Sequence, residues 1–184
     1  MEFVRQIIPD LILIKPTLFN DERGYFFESY REDLLSDFVG HRINFIQDNE
    51  SKSSFGTLRG LHYQMPPFAQ TKLVRVVQGS VLDIAVDLRK NSPHFGKYQS
   101  FELNDNNKYQ LLIPKGFAHG FVVLTNEAIF SYKVDNYYNS ALDKGIRFDD
   151  PSLAIDWTLS LSELTLSEKD LNLPFFDSQS EFFD

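Results

Sequence analysis

The chain has 184 residues, of which 42% are hydrophobic, and it carries 26 acidic against 18 basic side chains, for a formal net charge of −8. This charge argues against a nucleic-acid polymer or an anionic membrane surface as partner, because both bind to basic faces. The chain has no cysteine, which excludes disulfides, thiolate metal sites and cysteine nucleophiles.

The beginning of the chain shows no secretory pattern, and its apolar run Leu11–Ile14 is far too short to span a bilayer. We therefore expect a cytoplasmic protein without a membrane partner. The length fits one domain, which we expect to cover residues 1–184. Within it, residues from about 1–20 are expected to form an arm or edge strand that packs on a partner subunit, and residues from about 160–184 a short helical segment with a tail.

Taken from the N terminus, the first predicted element is a helix at Arg31–Phe38, where the residues have helical spacing. Short strands separated by turn signals follow, and a short helix starts within Ser167–Asp170. This pattern predicts an all-β fold, an antiparallel barrel or a double-sheet jelly roll with few short helices, in which a small ligand binds between the sheets. The predicted strands are Leu58–Gln64, Lys72–Val77, Val81–Leu88, Tyr98–Leu103, Tyr109–Ile113, Phe121–Leu124 and Ala128–Val134.

Side-chain alternation along these strands decides which residues line the interior. Lys72 shares a face with Val74 and Val76. In the next strand, Asp83 and Asp87 share one face, and the opposite face is aliphatic. A face with two aspartates points either to solvent or to a polar pocket, and we favour solvent.

Two separate segments supply the first candidate site residues. One holds Arg59 and His62, and the other is a Pro-x-Gly-x-x-His pattern that ends at His119. We predict that they form two halves of one pocket. Strict alternation puts Arg59 and His62 on opposite faces, so they converge only if Gly60 makes a bulge or a bend.

The pattern that ends at His119 resembles the second half of the cupin signature, whose first half usually supplies two histidines and a glutamate to a metal. Here Gln64 stands in place of the second histidine and Lys72 in place of the glutamate. A charged ammonium cannot ligate a cation, so we expect no metal. We expect instead a cationic pocket for an anion, such as a substrate phosphate or a developing enolate. Its residues are Arg59, His62, Lys72 and His119.

A longer pattern is carried by the segments Asp21–Glu28, Phe45–Asn49, Leu58–Gln64, Lys72–Gly79, Ile113–Gly120, Tyr132–Lys133 and Ser167–Asp170. In this order and spacing, from about Ile7 to Pro174, they resemble the dTDP-4-dehydrorhamnose 3,5-epimerase family. The resemblance implies a metal-free, cupin-type double-stranded β-helix that is usually a homodimer. It also implies an isomerase without a cofactor, which converts dTDP-4-dehydro-6-deoxy-D-glucose into dTDP-4-dehydro-L-rhamnose on the way to dTDP-L-rhamnose.

The resemblance also implies roles for individual residues. His62 would be the general base, Tyr132 the general acid, and Asp170 the partner of His62. Tyr138 would stack on thymine, and Asp143 stands where family members often carry glutamate. Around the keto sugar or the diphosphate the family places Arg59, Lys72 and His119, and around the nucleotide part Arg23, Glu28, Gln47, Asp48, Asn49 and Lys169.

These residue types suit the chemistry of an epimerase. Loss of a proton beside a ketone leaves an enolate, which requires a base on one face of the carbon, a donor at the carbonyl oxygen and an acid on the other face. Neutral imidazole is a suitable base, and a carboxylate on its other nitrogen fixes the tautomer. The sequence leaves open whether Asp170 or Asp83 pairs with His62, and whether Lys72 or His119 holds the enolate oxygen.

Four other functions are considered from the sequence. A related epimerase that acts at only one carbon, C3 or C5, would use nearly the same pocket. A 3,4-ketoisomerase of a nucleotide-linked keto sugar also uses histidine bases on a cupin scaffold, but the Tyr132 and Ser167–Asp170 matches weigh against it. A jelly roll that only binds a nucleotide sugar or glycan would not require a His62–Asp170 pair. A metal-dependent cupin oxygenase is disfavoured by the missing ligands.

Overall fold

The structure, a computed structural model, describes residues 1–184 and consists mainly of short β-strands. Its two α-helices are α1 (Glu32–Val39) and α2 (Glu168–Leu171), and single 3-10 turns lie at Leu161–Glu163 and Phe176–Ser178. The strands are β1 (Glu2–Arg5), β2 (Ile12–Lys15), β3 (Phe19–Asp21), β4 (Gly24–Phe26), β5 (Gln47–Ser54), β6 (Leu58–Gln64), β7 (Lys72–Gln78), β8 (Ser80–Asp87), β9 (Tyr98–Asn104), β10 (Gln110–Ile113), β11 (Phe117–Val123), β12 (Glu127–Val134) and β13 (Asp143–Gly145).

The strands form two larger sheets and one hairpin. The six-stranded sheet has the order β1-β2-β10-β7-β12-β5, the five-stranded sheet has the order β13-β6-β11-β8-β9, and β3 pairs only with β4. Neighbouring strands are antiparallel throughout these sheets. This arrangement confirms the predicted jelly roll with few short helices. It also places β1 at the edge of the larger sheet.

The two sheets pack face to face around the main hydrophobic core. Val74 and Phe130 of the six-stranded sheet meet Ala85 and Phe121 of the five-stranded sheet in one buried cluster, and the Phe121 and Phe130 rings stack with centroids 4.2 Å apart. Because Val74 faces this core, side-chain alternation directs Lys72 between the sheets as well.

Both outer faces are also covered. Helix α1 places Leu35 on the six-stranded sheet, against Ile12 and Leu73. Residues of the C-terminal segment, including Trp157 and Phe183, cover the outer face of the five-stranded sheet. The central strands β8 and β11 of the smaller sheet are therefore buried on both faces over most of their length.

This cover corrects the expectation that the aspartates of β8 face solvent. Asp83 and Asp87 are fully buried. The aliphatic residues Ile84 and Val86 pack under the C-terminal segment instead of facing the inter-sheet core. The aspartate face therefore points between the sheets, and each carboxylate there has polar partners: Asp83 contacts His119, and Asp87 contacts Arg89 and Ser92.

Two smaller differences from the sequence expectations concern element ends. Strand β11 begins at Phe117, four positions before the predicted Phe121, because Phe117 already pairs with Asp87 of β8 directly after the Pro-x-Gly turn. In the turn before β10, the side chain of Asn104 accepts backbone hydrogen bonds from the next turn residues. The turn ends at Lys108, which has a positive φ of +54°, so that β10 begins at Gln110 and not at the predicted Tyr109.

Candidate active site

A cavity of about 210 Å³ opens between the two sheets and gathers the predicted cations. Its polar wall combines side chains from β5, β6, β7, β11 and β12, so both sheets contribute. The sequence analysis did not identify four of the lining residues, Glu50, Ser51, Phe121 and Phe130. Ser51 could have been found from side-chain alternation, because it lies two residues after the predicted Asn49. The lining residues are Glu50, Ser51, Arg59, His62, Lys72, His119, Phe121, Phe130 and Tyr132.

A bulge in β6 brings Arg59 and His62 to the same cavity. His62 pairs with His119 and Arg59 with Phe121, so three steps along β6 match only two steps along β11. The bulge lies at Gly60, which has a φ of +131°. A Cβ atom at this position would lie 2.5 Å from the Cα of Gly120. The predicted glycine bend is thus confirmed, and only glycine satisfies both its φ and its close packing.

His62 forms a hydrogen bond with a buried carboxylate, Nε2 to Asp170 Oδ1, at 2.6 Å. Asp170 lies on α2, where the side chain of Ser167 caps the helix by accepting from the Asp170 backbone N–H. Burial is the largest single influence on the pKa of Asp170 and raises it, but the hydrogen bond and charge of His62, together with hydrogen bonds from Ser167 and the Gly60 backbone, outweigh burial and lower this pKa. Asp170 therefore remains a carboxylate that accepts the Nε2–H of His62 and leaves Nδ1 as the free ring nitrogen.

The second histidine has a carboxylate of its own. His119 Nε2 lies 2.8 Å from Asp83 Oδ2, and both side chains are buried. Burial lowers the pKa of His119 despite the opposing effect of Asp83. The sequence left open whether Asp170 or Asp83 pairs with His62. In the structure Asp170 pairs with His62, and Asp83 pairs with His119.

Two further groups on the cavity wall have shifted pKa values. Burial lowers the pKa of the Lys72 ammonium to about 8, although the charges of Asp143 and Asp83 act in the opposite direction. Burial raises the pKa of the Tyr132 phenol. At neutral pH the wall thus presents a protonated lysine that titrates unusually early and a phenol that keeps its proton.

Arg59 and β5 lie at one side of the cavity. Arg59 Nε donates to Ser53 Oγ at 3.1 Å, which orients the guanidinium. Of the predicted nucleotide contacts on β5, Asn49 pairs opposite Tyr132 and accepts a hydrogen bond from Gln47 at 2.7 Å. Asp48 alternates to the other face of the sheet, where it forms an ion pair with Lys133.

A third group of predicted residues meets beside His62. The Tyr138 hydroxyl donates to Asp143 Oδ2 at 3.0 Å, and the Lys169 ammonium binds the same oxygen. Strand β13 pairs with β6 and sets Gly145 opposite His62, so this cluster borders the cavity. Tyr138 itself is 61% exposed, which leaves its ring free to stack on a planar group.

Two predicted residues, Arg23 and Glu28, lie near the β3–β4 hairpin and the start of α1. The Arg23 side chain is 90% exposed at the β3–β4 hairpin and pairs with Asp21. Glu28 pairs with Arg31, next to the start of α1. Neither residue lines the cavity.

No group of three or more histidine, aspartate or glutamate side chains is arranged to hold a metal ion. Neither α-helix has the length and apolar character of a membrane-spanning helix.

The fold and the cavity together define a cupin-type jelly-roll protein of the sugar-nucleotide epimerase kind, whose cavity holds two His–Asp pairs, a lysine and a phenol. The sequence profile described as dTDP-4-dehydrorhamnose 3,5-epimerase matches residues 5–178. The chain belongs to the dTDP-4-dehydrorhamnose 3,5-epimerase family, an isomerase family.

Individual relatives agree with this assignment. The enzyme of that name from Shigella flexneri is 49% identical over 172 residues, which cover 94% of each chain. The crystal structure of the Elizabethkingia anophelis NUHP1 enzyme has 49% identity and a TM-score of 0.95, and the match covers 98% of this chain and 99% of that one. The dTDP-6-deoxy-D-glucose-3,5-epimerase of Legionella pneumophila Philadelphia 1, in complex with dTDP-4-keto-L-rhamnose, has 43% identity and a TM-score of 0.92, over 96% of this chain and 93% of that one.

Proposed function

We propose that this protein epimerises dTDP-4-dehydro-6-deoxy-D-glucose at C3 and C5 and releases dTDP-4-dehydro-L-rhamnose. The observation that carries the proposal is the His62–Asp170 pair, which opens into the same cavity as the Tyr132 phenol and the Lys72 ammonium. The cavity thus holds a base, an acid and a cation within one enclosed space. These are the groups that enolate chemistry requires.

In this mechanism His62 is the general base. Asp170 accepts the Nε2–H, so the lone pair of Nδ1 takes the proton from the carbon beside the C4 carbonyl. The imidazolium that results lies 2.6 Å from the Asp170 carboxylate, whose negative charge stabilises it. The electron pair of the broken C–H bond moves to the C4 oxygen and gives an enolate.

Reprotonation completes the inversion. A donor on the cavity wall, Lys72 or His119, meets the negative oxygen, and the Tyr132 hydroxyl delivers a proton to the opposite face of the carbon. Because burial raises the pKa of Tyr132, this phenol carries its proton at neutral pH. The substrate keeps its oxidation state, so the reaction requires no redox cofactor. The same steps serve C3 and C5, which both neighbour C4.

The nucleotide part of the substrate is assigned to the border of the cavity. We propose that Tyr138 stacks on thymine and that Arg59 and Lys169 bind the diphosphate. Asp143 holds Tyr138 and Lys169 together, and its carboxylate fixes the direction of both side chains. Strand β5 completes the proposed nucleotide site with Gln47, Asp48 and Asn49. Of these, Asp48 also forms an ion pair with Lys133.

We further propose that residues 1–184 act as one epimerase domain within a homodimer. The β3–β4 hairpin carries exposed aromatic side chains, Phe19, Tyr25 and Phe26, next to the exposed Arg23. Burial of such a hairpin against a second copy would remove apolar surface from water. It would also carry Arg23 and Glu28 toward the nucleotide site of the partner, which accounts for their distance from the cavity of their own chain.

One experiment tests the reaction directly. The protein is incubated with dTDP-4-dehydro-6-deoxy-D-glucose in deuterium oxide, and the sugar is followed by NMR. We expect deuterium at both C3 and C5 and conversion to the L-configured product, and His62→Ala should lose about 10²–10⁴-fold in exchange rate. Label at one carbon would instead indicate a single-site epimerase, and no label with intact binding would indicate a binding protein.

A further inference from the structure

The buried Asp83 carboxylate has no role in the mechanism above. It is fully buried on β8, its Oδ2 contacts His119 Nε2 at 2.8 Å, and its Oδ1 has no hydrogen-bond donor in the protein. A buried carboxylate with an unpaired oxygen is costly to desolvate. We therefore expect this carboxylate to have a function in the neighbouring active site.

The geometry at His119 determines which of its nitrogens meets a ligand. A carboxylate can only accept a hydrogen bond, so Nε2 of His119 carries the hydrogen. Burial keeps the ring neutral by lowering its pKa. Nδ1 is then left with a lone pair, and it accepts a hydrogen bond but cannot donate one to an oxyanion.

Lys72 complements this arrangement. Its ammonium senses the charges of Asp83 and Asp143 through space and forms a hydrogen bond with neither. All three of its N–H donors are therefore available to a molecule in the cavity. The wall thus offers one acceptor at His119 and one cationic donor at Lys72.

We infer that Asp83 is a positioning residue that gives His119 and Lys72 different roles. It fixes His119 as the hydrogen-bond acceptor for a sugar hydroxyl, and it leaves the Lys72 ammonium as the hydrogen-bond donor to the C4 oxygen. This inference rests on the proposed epimerase function and decides between Lys72 and His119 as the group that holds the enolate. A neutral His119 adds no positive charge to those of Arg59 and Lys72 around the base, so His62 can still accept a proton. The other titratable or charged groups around the cavity are Glu50, Arg59, His62, Tyr132, Asp143 and, behind His62, Asp170.

The first test requires no substitution. The ¹⁵N NMR shifts of the histidine rings in the wild-type protein report which nitrogen carries hydrogen. We expect His119 to be neutral at pH 7 and protonated at Nε2, with Nδ1 bare. A His119 ring that is protonated at Nδ1, or at both nitrogens, at this pH would overturn the inference.

The second test compares two aspartates of the same buried face of β8. We expect Asp83→Asn to lower kcat about tenfold or more with little change in KM, because its contacts act on the enolate more than on the nucleotide. The alkaline limb of the kcat profile should also move to lower pH by about one unit, since a negative charge that favours protonated Lys72 is lost.

Asp87→Asn is the matched control. Asp87 is equally buried, but its partners Arg89 and Ser92 are not part of the cavity wall. Thermal melts of both variants report folding, and the control is expected to leave the alkaline limb in place. The same limb in both variants would refute the role of Asp83. A wild-type protein that exchanges no substrate hydrogen would refute the epimerase function itself.

Discussion

The bulge at Gly60 allows a prediction whose size follows from the structure. A methyl group in Gly60→Ala would lie 2.5 Å from the Cα of Gly120 and 2.9 Å from the His119 carbonyl oxygen, both of which are backbone atoms that cannot turn away. Overpacking of this kind costs about 1–3 kcal/mol. The φ of +131° is outside the range that alanine readily adopts, and such strain costs about 1–3 kcal/mol more.

Together these costs amount to roughly 2–6 kcal/mol of the free energy of unfolding. For a chain of this size, that corresponds to a decrease in Tm of roughly 5–20 °C. Activity should fall further than stability suggests, because the bulge sets Arg59 and His62 on one cavity. A displacement of about 1 Å there can reduce turnover about 10²-fold.

Gly40→Ala is the control. Gly40 ends helix α1 with a positive φ of +85°, and a Cβ atom there would meet nothing within 4 Å. This variant therefore reports the cost of a positive φ without a clash, and the difference between the two variants reports mainly the clash. Urea unfolding and kcat would be measured for both. If Gly60→Ala were as stable as Gly40→Ala and kept its turnover, the bulge would not be what assembles the site.

Three further predictions concern the chemistry of the cavity. Tyr132→Phe should reduce kcat about 10²-fold or more and leave KM within a few-fold, because the phenol acts on the carbanion more than on binding; unchanged turnover in steady-state assays would remove Tyr132 from the mechanism. Because burial lowers the pKa of Lys72 to about 8, its charge is lost as the pH rises through that value, so kcat should decline above about pH 8 and the residual activity of Lys72→Met should lack this decline. Treatment with a chelator should leave turnover intact, since Gln64 and Lys72 occupy the positions where cupins carry metal ligands; activity that disappears and returns only with added iron or zinc would contradict the cationic cavity.

The parts of the fold that depend on local pattern could be predicted from the sequence. The strands on either side of Gly79 were located from their turn signal, and alternation placed Lys72 with Val74 on the inner face. The helix start at Ser167 was located from its capping pattern. Each of these features depends on a few neighbouring residues, which the sequence shows directly.

The errors came from contacts between distant segments. The sequence favours solvent for Asp83 because this residue shares a strand face with Asp87, whereas the opposite face of the strand is aliphatic. That side is buried, but by Trp157 and Phe183, which lie far along the chain. The choice between Asp170 and Asp83 as partner of His62 depended on where a helix more than a hundred residues away would pack, and no local pattern gives that information.

The implied nucleotide contacts show a related limit. Arg23 and Glu28 were identified only through the resemblance to the family, and the chain by itself does not bring them to the cavity. Asp48 matches the family segment, but alternation of β5 turns it to the opposite face from Asn49. A sequence motif can thus indicate which residues belong to a binding site, but it does not show where the fold places their side chains.

The His62–Asp170 contact joins two elements that are expected to differ in local stability. His62 lies on a strand inside a sheet, whereas Asp170 lies on a helix of four residues that the side chain of Ser167 caps. So short a helix has little cooperativity of its own and opens more readily than the barrel. We therefore expect this turn to open before the sheets do when the protein is heated, so that activity is lost while the strands are still folded.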